Sequence, residues 1–431
     1  MPQKVVTRFA PSPTGLLHGG NYRTAVFAYL FARKMQGEFI VRIEDTDKER
    51  SKPEYEDNIH ETLSWLALLP ERNYRQSGNA VRHREQLEQL IKSGAAFVSQ
   101  ETEGERKEVI RFKNPKTTIT FTDAIRGEIT FNTSDLGDFV IARSLDEPVF
   151  HFAVVVDDYD EGVTHVIRGE DHISNTPRQI LIQQALGYET PIYAHLPLVL
   201  GPDRAKLSKR RGAKALTQYR NEGYVAEAMI NYLALLGWHP EGNKELFTMD
   251  ELVGEFTLER IQKGAGIFDE EKLRWFNHEH LKRMTDDAYA SRVRDFAKKD
   301  IDPRIVPLLK ERAATLQEAA DMLDTEFGFL QGVSCEPALL TNKGKIAPAV
   351  ASKHLNALAE LLHDTPNEGL TSQGYKDLIW PYATAEGRGD VLWPLRTALS
   401  GRERSPDPFT ILTLVGKDEA LARIARAAQS L

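Results

Sequence analysis

Residues 5–21 read Val5-Val6-Thr7-Arg8-Phe9-Ala10-Pro11-Ser12-Pro13-Thr14-Gly15-Leu16-Leu17-His18-Gly19-Gly20-Asn21. The first five predict a strand, the proline and glycine residues that follow predict a tight turn, and residues 21–35 predict a helix with apolar side chains at helical spacing. Residues 39–43 predict a second strand, and residues 53–68 a second helix. Strands that alternate with helices in this way are typical of a parallel α/β sheet.

The alternation is interrupted once and then returns. Residues 107–156 consist of short runs rich in Thr, Val, Ile and Phe, broken by glycine and proline, and they predict a mainly β insertion. Residues 163–167 predict a strand, residues 175–186 a helix and residues 195–200 another strand. Beyond a basic loop at 204–214 the patterns are almost wholly helical. We therefore predict one split α/β domain with a β insertion, followed by an all-α C-terminal region.

Composition excludes several classes of protein. The chain has 431 residues, of which 41% are hydrophobic and 27% charged, and no apolar run approaches the roughly 20 residues of a membrane span. Its start does not have the pattern of a signal peptide, so we expect a cytoplasmic location. The one cysteine, Cys335, excludes an internal disulfide framework and a cysteine-based zinc site. A net charge of −8 gives no indication of a nucleic-acid partner.

Two stretches have the character of phosphate sites. In the first, His18 and two glycines come just before a predicted helix, whose N-terminus favours an anion. The second, Lys206-Leu207-Ser208-Lys209-Arg210, is a basic loop that could grip the phosphates of ATP. Each has a plainer interpretation when taken alone, as a Pro-Gly turn with an incidental histidine or as a solvated charged loop.

Two further stretches follow predicted strands. Arg42-Ile43-Glu44-Asp45-Thr46-Asp47 places carboxylates where open α/β sheets bind ligands, although an acidic turn is an equal alternative. Val166-Ile167-Arg168-Gly169-Glu170-Asp171-His172-Ile173-Ser174-Asn175-Thr176-Pro177 contains an arginine that could hold a carboxylate. The alternative for Arg168 is an ion pair with the neighbouring Glu170 or Asp171.

The order of these four stretches resembles class I aminoacyl-tRNA synthetases. Residues 11–21 look like the HIGH region of that class, and residues 206–210 look like its KMSKS loop. The stretches after the second and third strands resemble those of glutamyl-tRNA synthetases rather than glutaminyl ones, and residues 272–275, 392–396 and 405–408 extend the likeness over nearly the whole chain.

The resemblance implies activation of glutamate with ATP to glutamyl-adenylate, followed by transfer to the 3′-terminal adenosine of a glutamate tRNA. It implies that ATP is contacted by Pro11, His18, Gly20, Asn21, Lys206, Ser208 and Lys209. Of these, the residues that would take part in catalysis are His18, Gly20, Lys206 and Lys209. It implies a glutamate pocket formed by Arg8, Ala10, Ser12, Glu44, Phe150 and Arg168. Mg²⁺ would accompany ATP without a dedicated protein site.

The implied architecture is a Rossmann-like catalytic domain in two halves, 1–75 and 151–204. An insertion at 76–150 would hold the tRNA acceptor end, residues 205–285 would contact the tRNA stem, and residues 286–431 would form a helical anticodon-binding domain. We expect a monomer that has no membrane association. The sequence leaves open whether a glutamine tRNA is charged as well, and whether activation requires bound tRNA.

This sequence departs from the family's pattern at three places. Phe150 stands where relatives commonly have a tyrosine, so one hydroxyl donor is missing from the implied pocket. Asn21 ends the HIGH-like stretch without disturbing its histidine and glycine. The segment at 99–106 is short where some relatives bind zinc, and no zinc is expected here.

Three other functions compete with this interpretation. A paralogue that transfers glutamate to a modified tRNA base would end near the stem-contact region, and the helical tract beyond residue 288 argues against it. A different nucleotidyltransferase, such as a phosphopantetheine-type enzyme, would not need that tract. A descendant that binds RNA without catalysis would have no need to keep His18, Glu44, Arg168 and Lys209.

Overall fold

The computed structural model describes residues 4–101, 108–208, 212–365 and 370–431. The chain forms two compact units, Met1–His280 and Leu281–Leu431. The first contains the sheets and the second is built from helices, in agreement with the predicted fold class.

A mixed, mainly parallel sheet is the centre of the first unit. Its strands lie in the spatial order β3, β2, β1, β10, β11, β6, β7. They have the bounds β1 (Val6–Phe9), β2 (Glu38–Ile43), β3 (Arg72–Arg75), β6 (Thr118–Asp123), β7 (Gly127–Asn132), β10 (His165–Gly169) and β11 (Ile192–Leu196). All neighbouring pairs are parallel except the β6–β7 hairpin. The carboxyl ends of β1, β2 and β10 therefore meet at one edge of the sheet.

Two smaller sheets complete the strands that the structure describes. The antiparallel sheet of the insertion has the order β4 (Ala96–Gln100), β5 (Glu108–Phe112), β8 (Phe139–Ser144), β9 (Glu147–Pro148). A parallel pair joins β12 (Val199–Leu200) to β13 (Gly266–Ile267).

Helices cover the central sheet and continue to the end of the first unit. Their bounds are α1 (Gly19–Lys34), α2 (Pro53–Trp65), α3 (Ala80–Lys92), α4 (Phe150–Asp160), α5 (Thr176–Leu186), α6 (Leu216–Asn221), α7 (Ala226–Leu235), α8 (Met249–Glu255) and α9 (Glu270–Arg283). Helix α9 contains the division between the two units. The core beneath these helices contains Tyr22, Phe27 and Trp238, which have no exposed surface.

The described residues of the second unit form helices and connecting loops, with no strand among them. Its helices are α10 (Asp286–Ala297), α11 (Val306–Arg312), α12 (Leu316–Thr325), α13 (Pro337–Leu340), α14 (Pro348–His363), α15 (Ser372–Glu386), α16 (Arg388–Ser400), α17 (Pro408–Val415) and α18 (Lys417–Gln429). Helix α14 packs against α16 and α18, and Leu355, Leu395 and Ile424 are fully buried there.

The structure corrects the end of the predicted β segment. Helix α4 lies there, because Phe152 to Val156 pack against α3, α5 and β8, and this burial outweighs the strand preference of three consecutive valines. The β6–β7 hairpin is β, as predicted, and it joins the central sheet through β11.

Other differences are local. The strand predicted at 195–200 begins at Ile192 and is broken between β11 and β12. Strand β3, Arg-Asn-Tyr-Arg, was not predicted because an edge strand does not need an apolar pattern. Two later helices have side-chain caps: Thr248 forms a capping box with Glu251 at the start of α8, and Asp269 accepts from the N–H groups of Glu271 and Lys272 at the start of α9.

Candidate active site

A cavity of about 580 Å³ opens at the carboxyl ends of the parallel strands, beside the start of α1. Its wall contains twelve of the residues that the sequence analysis assigned to ATP or glutamate: Arg8, Ala10, Pro11, Ser12, His18, Gly20, Asn21, Glu44, Phe150, Arg168, Lys206 and Ser208. Lys209, the remaining one, lies outside the described residues, as do Arg210 and Arg211. Four stretches that are far apart in the sequence therefore converge on one site.

His18 caps helix α1 at the floor of this cavity. Its Nδ1 accepts from the Gly20 N–H at 3.1 Å, and its own N–H donates to the Asn21 side-chain oxygen at 3.2 Å. This reciprocal cap starts the helix at Gly19, two residues before the predicted start. Because Nδ1 is an acceptor, the hydrogen of the neutral ring is on Nε2. The first turn has no acidic side chain, so the positive end of the helix dipole is not neutralised locally.

The two glycines after His18 are required by close packing. A Cβ atom on Gly19 would lie 2.7 Å from Cε2 of Phe268, and one on Gly20 would lie 3.0 Å from Cε1 of His18. The backbone can therefore approach a ligand here without a side chain in between.

The basic loop begins at the cavity wall. Nζ of Lys206 lies 2.7 Å from Oδ2 of Asp171, with both side chains about half exposed. Exposed ion pairs of this kind contribute little to stability, so the lysine can exchange Asp171 for another anion.

Arg168 is buried in this wall among uncharged acceptors. Its Nε donates to Nε2 of His195 at 3.1 Å, and its Nη2 donates to Oγ1 of Thr176 at 2.9 Å and to Oε1 of Gln179 at 2.8 Å. Burial, with repulsion from Arg8, lowers the pKa of Arg168 to about 10, which still leaves it charged at neutral pH.

The ion pair that was the alternative for Arg168 is absent among the described residues. Glu170 instead pairs with Arg126 at 2.5 Å, and Asp171 pairs with Lys206. Within the described ranges no carboxylate lies within salt-bridge distance of the Arg168 guanidinium, so this buried cation faces the cavity without an ion-pair partner and is attracted only at longer range by Asp158 and Glu44.

Arg8 differs from Arg168 because its charge is balanced. Its Nε and Nη2 donate to the two oxygens of Asp158 at 3.1 and 3.3 Å. Asp158 also contacts Arg42, which is fully buried and reaches Glu44 at 3.3 Å and Glu161 at 2.6 Å. Arg8 and Glu44 are therefore linked through one buried network of charges.

Burial and charge compete within this network. Burial raises the pKa of Glu44 against the attraction of Arg42 and Arg8. At Asp158 burial is outweighed by the same two arginines, which lower its pKa. Burial raises the pKa of Glu161 to about 7.

Phe150 forms an aromatic wall of the cavity. Its ring centroid lies 5.8 Å from that of His151 and 5.4 Å from that of His172. Burial, followed by repulsion from Arg168, lowers the pKa of His172 to about 4, so the ring is neutral at pH 7. The side of the pocket formed by Phe150 is consequently apolar and uncharged.

The described residues contain neither a metal-binding cluster nor a membrane-spanning helix. Across 4–101, 108–208, 212–365 and 370–431, no group of three or more His, Cys, Asp or Glu side chains is placed to hold a metal ion. Within those ranges no helix combines the length and the apolar character that crossing a bilayer requires.

Comparisons with known proteins follow the same division of the chain. The family model described as tRNA synthetases class I (E and Q), catalytic domain, matches residues 4–108 and 98–275, and an anticodon binding domain model matches residues 270–428. A glutamate–tRNA ligase of Acidithiobacillus ferrooxidans is 39% identical, and the alignment covers 98% of this chain and 99% of that one. The chain belongs to the glutamate–tRNA ligase family.

Other members of the family agree. The glutamate–tRNA ligase of Aquifex aeolicus is 47% identical over 65% of this chain and 67% of its own. The crystal structure of a glutamate tRNA ligase from Elizabethkingia meningosepticum, in complex with its amino acid, superposes with a TM-score of 0.84 at 31% identity, over 99% of this chain and 100% of that one.

In this glutamate–tRNA ligase family member, sequence reasoning missed several residues of the site. Asp171, His172 and Asn175 line the cavity and lie within seven residues of Arg168 in the sequence. That closeness in the sequence could have identified them as site residues. Asp158 and His195 reach the two site arginines from α4 and β11. No motif indicated them, because only the packing of these elements brings them to Arg8 and Arg168.

Proposed function

We propose that this protein activates L-glutamate with ATP and transfers it to the 3′-terminal adenosine of a glutamate tRNA, releasing AMP and pyrophosphate. Its membership of the glutamate–tRNA ligase family supports the reaction class. The observation that carries the choice of amino acid is the charge of Arg168, which is buried and has only uncharged hydrogen-bond partners among the described residues.

The side-chain carboxylate of glutamate supplies the missing negative charge. Nε and Nη2 of Arg168 already donate within the protein, so this carboxylate would accept from Nη1, whereas the amide of glutamine would leave the buried cation without a counter-charge. Arg8 is already paired with Asp158, so its own charge is balanced. It would help to orient the substrate carboxylate and would add some positive potential to the pocket. Glu44 is the carboxylate of the pocket that can receive the α-ammonium group, while Ala10, Ser12 and Phe150 complete the wall.

In the first step the α-carboxylate oxygen of glutamate attacks the α-phosphorus of ATP, and the bond to pyrophosphate breaks. The N-terminus of α1 and the Nε2–H of His18 are placed to stabilise the phosphoryl oxygens. Pro11, Gly20, Asn21 and Ser208 form the surrounding nucleotide wall, and Lys206 and Lys209 offset charge on the departing pyrophosphate. Mg²⁺ would be held by phosphates and water, which suits a site without a cluster of metal-binding side chains in its described residues.

In the second step the terminal ribose hydroxyl of the tRNA attacks the carbonyl carbon of the adenylate and loses its proton. The bond between that carbon and the phosphate oxygen breaks, and AMP leaves with its electron pair. We assign the acceptor end to residues 76–150, the stem to 205–285 and the anticodon to 286–431. The catalytic halves are 1–75 and 151–204. The anticodon binding domain model at 270–428 supports the last RNA assignment. We further propose a monomer that works in the cytoplasm, where its tRNA substrate is found.

The test is charging of purified tRNA isoacceptors with labelled glutamate and, separately, labelled glutamine, in the presence of ATP and Mg²⁺. We expect label on a glutamate tRNA with glutamate alone, and a separate assay of glutamine tRNA reports whether it is a second substrate. Label in base rather than in the alkali-labile ester at the 3′ end would support the paralogue that modifies a base. Failure to charge any isoacceptor with glutamate would overturn the proposal.

A further inference from the structure

Behind Arg168 a chain of two buried side chains leads away from the cavity. Asp123 ends strand β6, His195 lies in β11, and Arg168 lies in β10, so the three belong to adjacent strands of the central sheet. His195 is paired directly with Arg168 in the strand register, and Tyr193 is paired with Asp123. Asp123 and His195 are 1% and 0% exposed, which excludes water as their main partner.

The hydrogen bonds of this chain fix where each hydrogen lies. Oδ1 of Asp123 accepts from the N–H groups of Ile125 and Arg126, both at 2.9 Å. Oδ2 lies 2.6 Å from Nδ1 of His195 and also accepts from the His195 N–H at 3.1 Å. Because the carboxylate can only accept, Nδ1 of His195 carries the hydrogen, and the lone pair of Nε2 accepts from Arg168.

We infer that Asp123 and His195 are positioning residues of the glutamate pocket, which hold the Arg168 guanidinium in place through an acceptor that has no charge. The inference rests on the proposed function of Arg168. A carboxylate in the place of His195 would orient the arginine equally well but would neutralise it. The imidazole orients the guanidinium and leaves its charge for the side-chain carboxylate of glutamate, and Asp123 keeps the imidazole in the required tautomer.

Burial and the positive charge of Arg168 lower the pKa of His195 against the attraction of Asp123. The other groups near this ring are Thr176, whose Oγ1 lies 3.2 Å from Nε2, and the aromatic side chains of Phe121 and Tyr193, none of which adds a charge. Arg126, whose Nε donates to the His195 carbonyl at 3.4 Å, is positively charged and lowers the pKa of His195 further, which favours the neutral ring.

The variant Asp123→Asn reverses the tautomer without changing the shape of the side chain. Two backbone N–H groups donate to Oδ1 and one, that of His195, donates to Oδ2, so the amide oxygen is favoured at the position of Oδ1 and the NH₂ group then faces Nδ1 of His195. Nδ1 of His195 then becomes the acceptor, and the hydrogen moves to Nε2. The Nε2–H of His195 and the Nε–H of Arg168 face each other as two donors, so their hydrogen bond is lost. We expect kcat/KM for glutamate to fall about 10- to 100-fold through KM, since one hydrogen bond to a charged group is lost, while KM for ATP is unchanged.

A second pair of variants separates positioning from folding. His195→Gln keeps a carbonyl oxygen that can accept from Arg168 whatever stands at 123, and it should retain far more glutamate activity than His195→Ala. Asp123→Asn should then add little to the His195→Gln variant, giving a non-additive double-mutant cycle. Asp138→Asn is the matched control, because Asp138 also accepts a backbone N–H in the inserted segment and does not line the cavity.

Melting temperatures and KM values for glutamate and ATP would be measured for all variants beside Arg168→Gln. Equal losses from His195→Gln and His195→Ala, or additive losses in the cycle, would overturn the inference, as would normal glutamate kinetics in a folded Asp123→Asn variant. Normal glutamate kinetics in Arg168→Gln would instead overturn the proposed role of Arg168 itself, so the two failures are distinguishable.

Discussion

Replacing Arg168 with glutamine tests how the site distinguishes glutamate from glutamine, two amino acids of nearly the same shape. The guanidinium is only 6% exposed, and its three internal acceptors are neutral, so its charge has no described partner before the substrate arrives. Glutamine at this position keeps polar atoms for Thr176 and Gln179 but removes the charge. The amino-acid carboxylate would then be buried beside Arg8, which is already paired with Asp158.

The expected loss follows from that geometry. Removing one partner of a buried ion pair costs about 3–5 kcal/mol, because the remaining charge, here the substrate carboxylate, is left buried and uncompensated. We therefore expect kcat/KM for glutamate to fall at least about a hundredfold, which corresponds to about 2.7 kcal/mol. Discrimination against glutamine should fall as well, because sites that pair fixed polar groups owe their selectivity of about 10⁴–10⁵ to those groups. Phe150 has no hydroxyl with which to compensate.

The assay is tRNA charging across titrations of glutamate, glutamine and ATP. Arg178→Gln is the matched control: Arg178 lies on helix α5 between two partners of Arg168, Thr176 and Gln179, donates to the Ser174 carbonyl at 3.0 Å and does not line the cavity. KM for ATP should be nearly unchanged in both variants. Glutamate kinetics in Arg168→Gln that match those of Arg178→Gln would remove Arg168 from the amino-acid site.

Three further outcomes are expected. Lys209→Ala should slow adenylate formation by about 10²–10³, because the variant lacks a cation close to the charge that develops in the transition state. The rate of adenylate formation is measured by pyrophosphate exchange with tRNA present. A normal rate in a folded variant would contradict a role of Lys209 in catalysis. The affinity for glutamate tRNA should fall by about 10³ or more between 50 and 200 mM salt if the protein neutralises about six phosphates, despite its net charge of −8. Filter binding measures this affinity. An affinity that does not change with salt would indicate another partner. Burial raises the pKa of Glu161 to about 7 from its ordinary 4.5, so the folded protein keeps a proton that the unfolded chain releases above pH 4.5, and stability should decline as pH rises through this window. Urea unfolding from pH 5 to 7 should therefore show a loss of about 2 kcal/mol relative to Glu161→Gln, and parallel curves for the two proteins would rule out this titration.

Local patterns in the sequence were sufficient for much of the fold. Helix α1 and strands β1 and β2 were predicted within two residues of their ends, because their apolar spacing and flanking turn residues are local properties. Helix α4 was assigned wrongly for the opposite reason. Three consecutive valines favour a strand by themselves, and only their burial against α3, α5 and β8 makes the helix the stable form.

The twelve described residues that the resemblance assigned to ATP or glutamate all line the cavity, since order along the chain and residue type are properties of the sequence itself. The sequence could not determine the state of each charge. Arg8 and Arg168 are both strand arginines, yet the tertiary structure pairs one with Asp158 and surrounds the other with neutral acceptors. Asp123 and His195 belong to no motif and are 72 residues apart in the chain, and they meet only because the hairpin of the inserted segment joins β11. Which charge stays available to a ligand depends on contacts between distant segments, and local sequence patterns contain no information about those contacts.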